Sequence, residues 1–103
     1  MEVITTSFPF NVSKKTMNEY LLLESHMAHL IEAVMPLLPV WVIEEATSLL
    51  NNREYGVAYE LVCEHLYENG LPISRDIYSL AETAGREMEL DPKSWQFIEP
   101  LVT

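Results

Sequence analysis

Residues 51–74 read NNREYGVAYELVCEHLYENGLPIS, and their period decides what kind of fold this chain adopts. Tyr55, Ala58, Tyr59, Val62 and Leu66 recur at spacings of three and four, so they share one face of a helix over Arg53 to about Glu68. Glu60, Glu64 and Glu68 stand one turn apart on the other side. Asn69-Gly70 supplies a left-handed stop, Pro72 forbids continuation, and Ser74 is a cap for the helix that follows.

Working outward, the same period continues in both directions. Downstream, Ile77, Leu80, Ala81, Ala84 and Met88 form an apolar stripe, with Asp76 in the first turn where the helix dipole favours negative charge. Asp91-Pro92 opens a last short helix that carries Trp95, Ile98 and Leu101, with Pro100 interrupting its end. Upstream, Val40 to Leu50 reads as a helix whose buried side is Trp41, Val42, Ala46, Leu49 and Leu50, closed by Asn51-Asn52. Before it, Thr16 and Glu19 form a capping-box pair at the head of a helix running from Met17 to Met35. Polar residues recur along that helix at Asn18, Ser25, His29 and Glu32, a narrow stripe at helical spacing. Its wide apolar surface, with Tyr20, Leu21, Leu23, Met27, Leu30, Ile31 and Val34, predicts a central place in the core. Pro36 and Pro39 separate these two helices. The first dozen residues have no helical period and include Pro9. The expected architecture is all-α: a single domain over residues 1–103, a compact bundle of about five helices with an irregular N-terminal arm. Three glycines are too few for the repeated turns of an all-β chain.

Charge narrows the function. Sixteen Asp and Glu stand against six Lys and Arg, a formal net charge of −10. Such a surface repels phosphate backbones and anionic membranes, and it draws a basic partner at long range. Cys63 is the only cysteine, which forbids an intrachain disulfide and fits a reducing compartment. The opening residues lack the basic start and apolar run of a secretory signal. The longest apolar run, VMPLLPVWVI, is too short to span a bilayer and holds two prolines. The expectation is a cytoplasmic, soluble protein.

The chemical inventory is thin. His26 and His29 lie three apart and share a helix face, but neither has a Glu three residues before it, as a di-iron carboxylate site requires. They read as surface or boundary histidines, with no metal expected. Cys63 and His65 are two apart, so on a helix they point in different directions, and Cys63 reads as a buried, inert thiol. Gly56, Gly70 and Gly85 are too scattered to cradle a phosphate. No catalytic residue, no cofactor and no enzymatic activity is expected.

The row Glu60, Glu64, Glu68 has two readings. In one it is a solvated face balancing the apolar side of its helix. In the other it awaits a partner. Like charges four apart cost a helix about 0.2–0.5 kcal/mol per pair, no Lys or Arg compensates along the row, and a cationic partner would relieve the repulsion. Tyr67 lies beside the row and Tyr78 is placed similarly at the flank of the next helix. Tyrosine beside charge is a favoured interface residue. The candidate binding residues are therefore Glu60, Glu64, Tyr67, Glu68 and Tyr78. The acids of the first two helices, Glu24, Glu32, Glu44 and Glu45, come next.

The second half of the chain resembles small bacterial immunity proteins of the contact-dependent growth inhibition and Maf polymorphic-toxin systems. The residues that carry the resemblance are Glu54-Tyr55-Gly56, Ala58, Glu60-Leu61, Leu66 and Pro72-Ile73-Ser74, then Leu80, Gly85, Leu90-Asp91-Pro92 and Trp95. Most of these are caps, turns and core positions, and nothing before Trp41 takes part. The resemblance implies a cytoplasmic antidote, a monomer that binds one cognate toxin domain and blocks it. Toxins of these systems are often nucleases, RNase A-like folds among them, and a nuclease needs a basic groove. That is the partner a net charge of −10 suits. Toxin-contacting residues diverge within the family, so the candidate residues rest on the charge row. The alternative is a small helical adaptor or regulatory module, which an exposed apolar groove would favour.

Overall fold

The computed structural model describes residues 16–103. The irregular arm expected at the N-terminus lies outside these residues. The chain is all-α: α1 spans Met17–Val34, α2 Val40–Asn51, α3 Tyr55–Asn69, α4 Arg75–Glu87 and α5 Lys93–Gln96. A 3-10 turn over Glu99–Leu101 follows. The single extended contact among the described residues is a bridge between Ile73 and Val102. Ile73 N–H donates to the Leu101 carbonyl at 3.0 Å and Thr103 N–H donates to the Ile73 carbonyl at 3.1 Å. The C-terminal tail is thereby tied to the α3–α4 loop.

Several boundaries follow directly from local chemistry. Thr16 and Glu19 form the capping box: Glu19 N–H donates to Thr16 Oγ1 at 3.2 Å, and Thr16 N–H donates to Glu19 Oε1 at 2.8 Å. Ser74 Oγ accepts from Ile77 N–H at 3.1 Å at the head of α4. Asp91 Oδ1 accepts from Lys93 N–H at 2.9 Å at the head of α5. Gly70 ends α3 with φ of 69°, the left-handed conformation that an L side chain resists.

One helix boundary differs from expectation. Arg53, read as the first residue of α3, instead has φ of 63° and closes α2. Glu54 N–H donates to the Leu49 carbonyl at 2.8 Å and Arg53 N–H to the Leu50 carbonyl at 3.0 Å, which is a Schellman motif. The helix α3 therefore begins at Tyr55. The end of α4 repeats the device with Glu89 at φ 59°, where Leu90 N–H reaches the Gly85 carbonyl and Glu89 N–H the Arg86 carbonyl, each at 3.0 Å.

One core gathers the inner faces of all the helices. Leu23, Met27, Leu30 and Val34 set the register of α1, and Val42, Ala46 and Leu50 that of α2. Tyr59, Val62 and Leu66 of α3, Ala81 and Ala84 of α4, and Trp95 and Ile98 complete it. Full burial of a large apolar side chain such as these leucines is worth about 1.5–3 kcal/mol relative to exposure. A short turn makes α2 and α3 a helical hairpin, while α1 packs chiefly on α4 and less on α2 and α3. His26 Nδ1 meets Glu87 Oε1 at 2.8 Å across the α1–α4 seam.

These registers correct two apolar expectations. Leu21 in α1 and Trp41 in α2 are exposed rather than buried, because a helix turns only one face inward. Trp41 precedes Val42 by one residue, about a quarter-turn off the inward face at 3.6 residues per turn. Leu22 and Met17 are exposed as well.

Candidate partner-binding face

The inner stripe of α3 is Tyr55, Ala58, Tyr59, Val62, Cys63 and Leu66, all buried. Helical geometry therefore turns Glu60, Glu64 and Glu68 outward, and all three are exposed. Among the described residues the ion pairs are Arg86–Glu82, at 2.7 Å, and His26–Glu87. Neither touches this row. Three carboxylates thus stand one turn apart with Val57, itself exposed, beside them, and none of the described residues places a cation in an ion pair with them.

Two aromatic pairs flank the row. On one side Tyr67, 58 % exposed, packs against Phe97 with ring centres 5.5 Å apart. On the other, Trp41, also 58 % exposed, meets His65 edge-on with centres 5.2 Å apart. The His65 ring is held by its own helix: the Leu61 carbonyl only accepts, so Nδ1–H is the donor of their 2.9 Å bond. Sequence reasoning found Tyr67 and missed Trp41 and Phe97. Phe97 lies between buried Trp95 and Ile98, and its position off their face is the signal that could have shown it to be outward.

Tyr78 does not join this face. Only 6 % of it is exposed, because the register of Ile77, Ala81 and Gly85 turns it inward. The guanidinium of Arg75 lies 5.7 Å from its ring centre. Burial, with Glu99 and Glu82 nearby, raises its phenol above the ordinary value. The expectation of an exposed tyrosine at the flank of α4 is corrected accordingly.

Cys63 and His26 are taken up by the fold. Cys63 is buried, and burial pushes its thiol up to about 12 from 9.0, away from the thiolate that a nucleophile needs. The nearby Tyr59 hydroxyl donates to the Ala81 carbonyl at 2.6 Å. Burial raises the Tyr59 phenol strongly as well. His26 is engaged by Glu87, and His29 is exposed on the outside of α1. Among the described residues no three His, Cys, Asp or Glu side chains are grouped to hold a metal ion. No helix among them is long and apolar enough to cross a membrane.

A second surface feature lies between α1 and α2. Ala28, Ile31, Met35, Ile43 and Leu50 line an open, mainly apolar groove of about 400 Å³, rimmed by Glu32, Thr47 and Asn51. No protein-family model, curated protein or solved structure matches this chain.

Proposed function

We propose that this chain is an immunity protein of the contact-dependent growth inhibition type. It acts in the cytoplasm as a monomer, binds one cognate toxin domain and neutralises it, with no turnover of its own. The toxin it fits is a basic nuclease, RNase A-like or of another nuclease type, because a net charge of −10 complements the basic groove such an enzyme holds open for nucleic acid. The observation that carries this reading is the outward row of Glu60, Glu64 and Glu68, which repel one another and have no cation beside them among the described residues.

The test uses the C-terminal domain of a large exoprotein encoded immediately upstream. It should form a one-to-one complex with this chain, and association should slow as salt shortens the reach of charge to about 8 Å at physiological strength. Replacing Glu60, Glu64 and Glu68 together by Gln keeps shape and helix propensity while removing three charges. The variant should fold, associate more slowly and lose part of the salt dependence. Unchanged rates would make the row a solvated surface only, and the absence of any upstream exoprotein would remove the class.

The adaptor reading retains one observation in its favour, the apolar groove between α1 and α2. A helical peptide partner would fill it through Ile31, Met35 and Ile43. Protection from the toxin that survives Met35→Glu but not the triple Gln substitution decides for the antidote.

A further inference from the structure

We infer that the outer face of α2 and α3 is a docking surface for an arginine-presenting protein surface, with two places where a guanidinium is held between a carboxylate and an aromatic ring. This deepens, and rests on, the reading of the chain as the antidote of a basic toxin.

The chain contains its own template for such a place. Arg86 donates from Nη2 to Glu82 Oε2 at 2.7 Å and from Nε at 3.2 Å, one helical turn away, while its Cζ lies 5.4 Å from the centre of the Trp95 ring. One guanidinium thus satisfies a carboxylate along its edge and lies over an indole.

The outer face repeats two members of that trio twice and lacks the third. On α3, Glu64 and Tyr67 are three residues apart and both exposed, which puts them on adjoining turns of one face. On α2, Trp41 and Glu45 are four apart and both exposed, and the indole is braced edge-on by His65 of α3. Among the described residues the basic side chains are Arg53, Arg75, Arg86 and Lys93, and none of them makes an ion pair with these acids. A partner's guanidinium would complete each trio as Arg86 completes that of Glu82 and Trp95.

Charge and ring chemistry together select the occupant. A phosphate backbone is repelled by Glu60, Glu64 and Glu68 on the same face. Lysine satisfies the carboxylates but stacks weakly, because its ammonium is a compact, strongly hydrated point charge. Arginine is planar, weakly hydrated and bonds edge-on while stacking. The rings are already held, Tyr67 by Phe97 and Trp41 by His65, so little side-chain freedom is lost on binding.

The probes are an oligo-arginine and an oligo-lysine peptide of equal length and charge, titrated against the full chain at low salt. With two stacked guanidinium groups, the arginine peptide should bind about fivefold more tightly or better. In isotope-labelled protein its NMR shifts should centre on the outward amides of α3 and on the Trp41 indole N–H. A Trp41→Ala, Tyr67→Ala double variant should keep the weaker, charge-driven binding and lose the preference for arginine. Both side chains are exposed, so circular dichroism should confirm an intact fold. Should the variant fail to fold, the two peptides on the unaltered chain decide alone. Equal affinity for both peptides, or shifts centred on Glu24, Glu32 and Glu82, overturns the arginine sites while leaving a charge-steered antidote standing. Failure of the upstream toxin domain to bind, with the arginine preference intact, instead removes the antidote reading.

Discussion

Replacing Gly85 by Ala tests the tightest packing in the molecule. A Cβ at this position falls 2.5 Å from Trp95 Cζ3, closer still to Cε3, and 2.8 Å from the Tyr59 hydroxyl oxygen. Carbon atoms in contact prefer about 3.5–4.0 Å, so the indole must retreat by roughly 1 Å. It has little room, since Trp95 is 2 % exposed, lies under the Arg86 guanidinium and is held by its backbone bond to Pro92. Tyr59 cannot swing away without breaking its buried bond to the Ala81 carbonyl. Overpacking of this kind costs about 1–3 kcal/mol, and each kcal/mol moves Tm by about 4–8 °C in a domain this size, so a fall of roughly 5–20 °C is expected. Thermal unfolding followed by circular dichroism measures it. The mechanism has its own check in a double-mutant cycle. In a Trp95→Phe background the smaller ring leaves space for the methyl, and the cost of Gly85→Ala should drop by at least about 0.5 kcal/mol. An unchanged Tm, or strictly additive costs, refutes the close approach of α4 to α5.

Arg53 and Glu89 occupy left-handed conformations without being glycine, and such a residue costs about 1–2 kcal/mol. Arg53→Gly and Glu89→Gly should each raise stability by up to about 1 kcal/mol, once the extra freedom of glycine in the unfolded chain is offset; a lower urea midpoint for either variant argues against a strained helix end. Burial raises Cys63 to about 12 from 9.0 and Tyr59 above its ordinary 10.0, so in the folded chain both hold their protons where the unfolded chain releases them. Their contribution to stability is therefore complete below pH 9.0 and falls as pH climbs toward about 12. Urea midpoints that stay level across this range count against it. Cys63 should also resist alkylation at neutral pH until the chain unfolds; rapid labelling of the native protein contradicts its burial.

The helices were legible because their signals are local. Thr16 with Glu19, Ser74, Gly70 and the spacing from Tyr55 to Leu66 each act within one turn of chain, and each element formed where that chemistry placed it. The start of α3 was not legible. The Schellman turn at Arg53 uses a residue that carries no left-handed preference, and only the fit of α2 against α3 imposes it. Exposure of Trp41 and burial of Tyr78 were hidden for a related reason. Period alone allows an apolar arc to rotate by one residue, and the rotation is fixed by the neighbouring helices. The acid row was readable because three glutamates at intervals of four align wherever their helix lies. Of its aromatic flanks Tyr67, on the same helix, was readable, while Trp41 and Phe97 were not, since they reach it from other elements.

The packing of α1 chiefly on α4, and not on its neighbour in sequence, bears on the order in which the chain assembles. The α2–α3 hairpin closes through near-neighbour contacts and can form early. Leu23, Met27 and Leu30, though made first on the ribosome, stay without their main partner until α4 has been synthesised. At about 5–20 residues per second, that leaves a newly made apolar helix uncovered for seconds. Nascent-chain recognition by chaperones should therefore peak while α1 is out of the exit tunnel and α4 is still inside it.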